Sequence, residues 1–352
     1  MPVVIGECAD GRSDFHVVSA MDKFRGTASA RQLSESISRV ALSLGCSTDL
    51  QPMSDGGEGF RDAFDGNVWV EIVPGPLGES VAARITMASI FGQRTGVIEV
   101  AEIVGRDFLV SPTREQALEA SSDGVGHLIL AAVRHGAESI LIGCGGSATS
   151  DGGWGCYRVL RDAGGLAVPV VAATDVTTRF SAARRYATQK GVRDEDLAVV
   201  DARLAALREL YSREQSVDVG EMDRAGASGG IPGGLAALGA SLVSGFDAVS
   251  GSVDLPGRIV GSSLVVTGEG RFDEGSLEGK VTVGIAALSG PLVPVLIVCG
   301  SVDDESADQF SAHFPQAKIV SLESRFGRNA SMNDVTSCVE IVVREEIERR
   351  RQ

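Results

Sequence analysis

Few residues in this chain can stack. Aromatic side chains make up 5% of its 352 residues, with 12 Phe, 3 Tyr and 2 Trp. Positive charge is also short, since 32 Lys and Arg face 47 Asp and Glu for a formal net charge of −15. Nucleic acid is thereby excluded as the main partner, because it needs basic surface and, for single strands, aromatic platforms. An anionic membrane is excluded on the same charge argument. No apolar run approaches the roughly 20 residues of a membrane span. The six cysteines, Cys8, Cys46, Cys144, Cys156, Cys299 and Cys338, form no Cys-x-x-Cys pair, which argues against structural zinc and a disulfide framework. The N-terminus lacks the order of a secretion signal, so a reducing cytoplasm is expected.

Glycine, in contrast, is abundant, at 44 residues where about 7% of a chain is usual. The length predicts two domains, at roughly 150 residues each. Near the N-terminus a β-prone stretch (15–20) precedes a capping-box pair, Ser29 and Gln32, and apolar residues at helical spacing from Leu33 to Leu44. The C-terminal part alternates likewise, through SLVVT (263–267), PVLIV (294–298) and AKIVSL (317–322), to a helix whose face carries Val335, Val339, Val342, Val343 and Ile347. Between them, VWVEIV (68–73), VAARITMA (81–88) and TGVIEVA (95–101) read as an antiparallel meander, followed by a buried-strand run at SILIG (139–143). The expected fold is therefore α/β with two domains. A parallel-sheet domain from both chain ends (1–73 and 286–352) is interrupted by an inserted α+β domain (74–285) that carries Gly-rich loops.

Much of the glycine falls in DGGEG (55–59), GCGGSATSDGGWG (143–155), GGIPGG (229–234) and GEG (268–270). Such clusters suit a backbone that presents N–H groups to an anion. Two familiar phosphate motifs do not fit. GSLEGKV (275–281) is one residue short of a P-loop and has Val281 where Ser or Thr is required, and G-x-G-x-x-A at 143–148 runs into Gly152 and Gly153 where a crossover helix should continue. The clusters also carry acids (Asp55, Glu58, Asp151, Glu269, Asp273), with Lys23, Arg25, Arg271 and Lys280 nearby. Carboxylates beside phosphate cradles suggest a Mg²⁺–nucleotide, and phosphoryl transfer as the leading chemistry.

Several segments, in order, resemble the glycerate kinase family of the bacterial type I class. They are MDKFRGTASA (21–30), PMSDGGEGF (52–60), PGPLGESVAA (74–83), VIEVA (97–101), GCGGSATSDGGWG (143–155), QKG (189–191), SGGIPGGLAALGA (228–240), TGEGRFDEGSLEGK (267–280) and PVLIVCGSV (294–302). The resemblance implies a flavodoxin-like terminal domain and a kinase that uses ATP and Mg²⁺ to phosphorylate D-glycerate, giving 2-phosphoglycerate, at a site in the interdomain cleft. Lys23, Asp55, Asp175 and Arg271 are the catalytic candidates. Lys23, Arg25, Glu58 and Glu269 are the candidates for the acid, and Gly145, Gly146, Ser147, Thr149, Gly229, Gly230 and Lys280 for the nucleotide. Asp55, Asp151 and Asp273 are the candidates for the metal.

This chain is a shortened and partly divergent member of the pattern. TDVTTRF (174–180) keeps Asp175 but lacks the family's Asn-Pro, the region between Gly165 and Val168 is shorter, and Arg25 replaces a common Lys. A kinase for another small hydroxy acid, or a silent relative that binds a phosphorylated metabolite, is the alternative. Nothing in the sequence sets the oligomeric state, so a homodimer stays open.

Overall fold

A computed structural model describes residues 15–277 and 280–352. Cys8 and two residues of the near-P-loop segment, 278 and 279, lie outside the described residues. The strands run β1 (His16–Ser19), β2 (Ser47–Leu50), β3 (Gly66–Pro74), β4 (Ser80–Ile90), β5 (Gln93–Glu99), β6 (Ser139–Gly143), β7 (Val170–Thr174), β8 (Ser241–Ser244), β9 (Leu264–Phe272), β10 (Val295–Val302) and β11 (Ala317–Ser321). The chain divides into two compact units, one of 1–54 with 249–352 and one of 55–248. Among the described residues no helix is long and apolar enough to cross a membrane.

The terminal unit holds a fully parallel sheet in the order β11-β10-β9-β1-β2. Counted within this unit in chain order, that is 2-1-3-4-5, the flavodoxin-like arrangement, with its switch point between β1 and β9. Strands covered on both faces must be apolar throughout. Val17, Val18, Leu264, Val265, Val266 and the run Val295–Cys299 are accordingly buried. The helix Ala30–Ser43 begins at the predicted capping box. Its Leu33, Ile37, Val40 and Ala41 share one core with Val335, Val339, Val342, Val343 and Ile347 of the helix Val335–Arg351. The two amphipathic stripes read from sequence are thus buried together.

The inserted unit holds a six-stranded sheet in the order β3-β4-β5-β6-β7-β8. β3, β4 and β5 form the predicted antiparallel meander, and β5 through β8 are parallel. In β4 the residues Val81, Ala83, Ile85 and Met87 alternate inward. Ala83, Ile85 and Met87 pack with Ile98, Ile140 and Ile142 against Val125, Leu128, Ile129 and Ala132 of the helix Asp123–Arg134. The unit limits differ from those expected at 73/74 and 285/286. β3 joins the second sheet through its long pairing with β4, and β9 joins the first by pairing with β1 and β10. GEG (268–270) is therefore part of a buried central strand of the terminal unit.

Candidate active site

The parallel register of the inserted sheet sets Glu99, Gly143 and Ala173 side by side at the carboxyl ends of β5, β6 and β7. Ligands of α/β sheets bind at such ends. The loop after β6 runs from Cys144 to Gly153 and leads into the helix Trp154–Asp162. Two other loops close on it. A Cβ on Gly145 would stand 2.6 Å from the Cα of Gly57, and one on Gly229 would stand 2.0 Å from the carbonyl oxygen of Thr149. These glycines are required because backbone packs directly on backbone. Gly145, Gly146, Ser147, Thr149, Gly229 and Gly230, predicted from scattered segments, are in this way brought together. Asp55 joins them, since Gly56 packs on Ala173, and Asp175 follows β7.

The loop is short of acceptors. Among the described residues, the backbone N–H groups of Gly145, Gly146, Ser147, Thr149 and Ser150 have no protein partner, although every one of these residues except Gly146 is buried. Buried N–H groups are almost always paired, so a run of them marks a place where a ligand or water supplies the acceptor. The hydroxyls of Thr149 and Ser228 are buried without a partner as well.

Cations stand around the loop without carboxylate partners. Lys190, 7% exposed, donates from Nζ to the Thr149 carbonyl oxygen at 2.7 Å and to Ser147 Oγ at 3.1 Å. Burial pulls its pKa down to about 7, against the opposing field of Asp151. Arg106 donates to Gln189 Oε1, and its backbone N–H donates to the Gly146 carbonyl. Arg203 donates to the Ser150 carbonyl at 3.3 Å. Among the described residues none of these three makes an ion pair. Sequence reasoning nominated none of them. Lys190 lies in the QKG segment, but nothing in three residues signals that a lysine will be buried.

Glu99 was missed for the same reason. It is buried and accepts from the N–H groups of Gly59 and Arg61, which holds the 55–59 loop against the strand ends. Burial pushes its carboxyl up to about 7, partly offset by those two N–H donors. Glu58, nominated for the acid, is exposed.

Asp151, a candidate metal ligand, is buried and hydrogen-bonded within the loop. Its Oδ2 accepts from the N–H and hydroxyl of Ser122 at 2.9 and 2.7 Å and from the N–H of Gly155 at 3.1 Å, while Oδ1 accepts from the N–H of Gly153 at 3.0 Å. The carboxylate ties the loop to the start of the following helix, with three of the four donors on Oδ2 and one on Oδ1. Among the described residues no three His, Cys, Asp or Glu side chains converge. Mg²⁺ needs only one or two protein carboxylates beside phosphate oxygens and waters, and the acids beside this loop are Asp175 and Asp55, whose Oδ1 accepts from the Gly57 N–H at 3.1 Å.

The remaining candidates belong to the terminal unit and lie beside its switch point. The chain after β1 turns so that the Asp22 N–H donates to the Gly268 carbonyl at 3.0 Å, and Lys23 Nζ lies 3.8 Å from Asp22. Arg25 is exposed and has no ion-pair partner among the described residues. On β9, Glu269 accepts from Thr282 Oγ1 at 2.8 Å, and burial raises its pKa. Arg271 is exposed and Asp273 half-buried, and the two pair at 3.3 Å. Asp273 also accepts from the Gly275 N–H, so its carboxylate is partly committed to the turn. Lys280 is the residue before the helix Val281–Ser289 of this unit.

A cavity of about 690 Å³ lies elsewhere in the inserted unit, lined by Phe180, Leu204, Arg208, Glu209, Arg213 and Asp218. It contains none of the predicted site residues.

Comparison with known proteins identifies the family. The sequence pattern of the Glycerate kinase family matches residues 17–162 and 162–345. The glycerate 2-kinase of Escherichia coli (strain K12) is 32% identical over 335 residues, covering 82% of this chain and 86% of that protein. The glycerate kinase of Bacillus subtilis (strain 168) is 32% identical over 331 residues, with the same coverage. An uncharacterized protein of Mycobacterium bovis is 39% identical over 281 residues, 73% of this chain and 71% of its own. Among solved structures, one described as a glycerate kinase 2 from Salmonella typhimurium LT2 superposes with a TM-score of 0.75 at 26% identity, covering 96% of this chain and all of that one.

Proposed function

The chain belongs to the glycerate kinase family and is a kinase, and from that premise we propose that it transfers the terminal phosphoryl group of Mg²⁺-ATP to D-glycerate, giving 2-phosphoglycerate. The observation that carries this reading is the run of unpartnered N–H groups from Gly145 to Ser150 at the carboxyl end of β6. A polyphosphate supplies the acceptors that such a run lacks.

In the reaction the hydroxyl oxygen of glycerate bonds to the γ-phosphorus, and the bond from that phosphorus to the β,γ-bridging oxygen breaks. ADP leaves with the electron pair. Asp175 is the residue proposed to receive the hydroxyl proton, as a carboxylate one residue past β7. Asp55 is proposed as the metal ligand, Gly229 and Gly230 as the backbone beside the phosphates, and Lys23 and Arg25 as the cations for the acid's carboxylate, with Arg271 offsetting charge that develops in transfer. Mg²⁺, when bound, neutralises phosphate charge and fixes the phosphate geometry. Such a reaction asks a protein mainly for positioning and charge stabilisation.

The divergent segment at 174–180 is held by its own bonds. The Thr174 hydroxyl donates to the Val176 carbonyl, the Thr178 and Tyr186 hydroxyls lie 2.7 Å apart, and the N–H groups of Arg224 and Gly226 donate to the Thr177 and Thr178 carbonyls. These contacts hold Asp175 in an anchored turn without the family's Asn-Pro.

The test is to incubate purified protein with ATP, Mg²⁺ and D-glycerate and to locate the new phosphate ester by carbon and phosphorus NMR. Coupling of phosphorus to C2 is expected. Coupling to C3 would overturn the assignment of the 2-hydroxyl while leaving the kinase reading in place.

A further inference from the structure

We propose that Lys190, the hydroxyls of Thr149 and Ser228, and the loop N–H groups beside them form a receptor for one phosphoryl group, whose oxygens are the acceptors these donors lack. The inference rests on the phosphotransferase reading and narrows it to particular atoms.

An ammonium has three donors, and Lys190 uses two of them on neutral oxygens, the Thr149 carbonyl and Ser147 Oγ. No carboxylate pairs with it among the described residues. Holding a lysine this deep is costly unless an anion compensates. Asp151 and Asp175 favour its charge from a distance, and Arg106 opposes it, so the local field alone leaves the group near its titration point around neutral pH. The two unpartnered hydroxyls are a second, independent observation, since Thr149 is fully buried and Ser228 is 9% exposed.

Backbone geometry links the second hydroxyl to the lysine. Ser228 and Gly229 both have left-handed dihedrals, with φ of 48° and 71°. A Cβ on Gly229 would come 2.9 Å from Lys190 Nζ. The glycine leaves the side of the ammonium open, and the adjacent Ser228 carries a hydroxyl at the same turn. An arrangement that served only to pack loop against loop would pair these polar groups with one another. A phosphoryl group, with three acceptor oxygens and up to two negative charges, is the ligand class whose chemistry matches a cation, two hydroxyls and a row of N–H groups.

Calorimetric titration of the full chain at pH 8 tests this, with three probes: the magnesium complex of the β,γ-imido analogue of ATP, 2-phosphoglycerate, and inorganic phosphate. The proteins are wild type, Lys190→Met and Thr149→Val, each titrated in two buffers of different ionisation enthalpy. Wild type is expected to take up protons on binding, because the anion draws the charged form of Lys190. Lys190→Met should bind about tenfold to a hundredfold more weakly and lose that uptake, while its melting temperature stays level or rises as a buried cation is removed. Thr149→Val should bind about threefold to tenfold more weakly. Equal affinities for every probe in wild type and both variants would overturn the receptor, as would a wild type that binds none of them. Binding of 2-phosphoglycerate or phosphate through Lys190 without binding of the nucleotide analogue would keep the receptor and remove the nucleotide from the proposed function.

Discussion

The Cα of Gly57 occupies the space that a side chain on Gly145 would need, 2.6 Å from the position of its Cβ. Two glycine clusters that are far apart in sequence thus meet as backbone on backbone, and the acid of the first, Asp55, is tied to the loop of the second.

Gly145→Ala should therefore push the 55–59 loop off the strand ends. The backbone has no flexible atoms to give way, so a loss of about 1–3 kcal/mol in stability is expected, with at least a tenfold fall in kcat/KM. Gly251→Ala is the control, because nothing lies within 4 Å of its Cβ position and it sits in the helix Gly245–Ser252, where alanine is favoured by up to about 1 kcal/mol. Thermal melts and steady-state kinetics of the two variants check the contrast.

Asp151→Ala should behave as a structural lesion. It strips an acceptor from three buried N–H groups and a hydroxyl, at a cost of about 1–3 kcal/mol or more. The concentration of Mg²⁺ needed for half-maximal rate should not change in the protein that remains folded. A large rise in that concentration would return Asp151 to the metal.

Glu99 should give stability a particular pH dependence. Its folded pKa of about 7 lies above the ordinary carboxyl value of 4.5, so the folded state holds more protons between those limits. Its contribution to stability is fully present below about pH 4.5 and is lost as pH rises through 7, with a slope of at most about 1.4 kcal/mol per pH unit. Urea unfolding at a series of pH values should show that slope in wild type and a reduced one in Glu99→Gln.

Lys23→Ala and Arg25→Ala should each raise the KM for the acid about tenfold or more, as loss of a charged hydrogen bond does. Affinity for the nucleotide analogue should stay within about twofold if the two cations serve the acid alone. A matching loss of nucleotide affinity would reassign them.

Much of the fold was legible because period carries it. The alternation at both chain ends, the stripe from Leu33 to Leu44, the SILIG strand and the meander all depend on local patterns that burial then uses. The unit boundaries were not legible, and GEG (268–270) fell within the expected insertion of 74–285. The apolar strand it continues, LVVT, is buried in the terminal sheet, and pairing rather than composition decides membership. In the site, the glycine loops were found from their density, but density could not show that the Asp151 carboxylate would accept four hydrogen bonds in the turn before the helix. Lys190 and Glu99 owe their properties to burial, and their hydrogen-bond partners lie 38 to 43 positions away, which no spacing rule reports.

The most direct measurement of the central claim is ADP formation by the purified chain in a coupled assay, with D-glycerate set against a panel of other small hydroxy acids. The account predicts Mg²⁺-dependent ADP release that requires D-glycerate and saturates with it, at a kcat/KM above that of every other acid. A folded protein that binds the nucleotide analogue yet releases no ADP with D-glycerate, or prefers another acid, would contradict it.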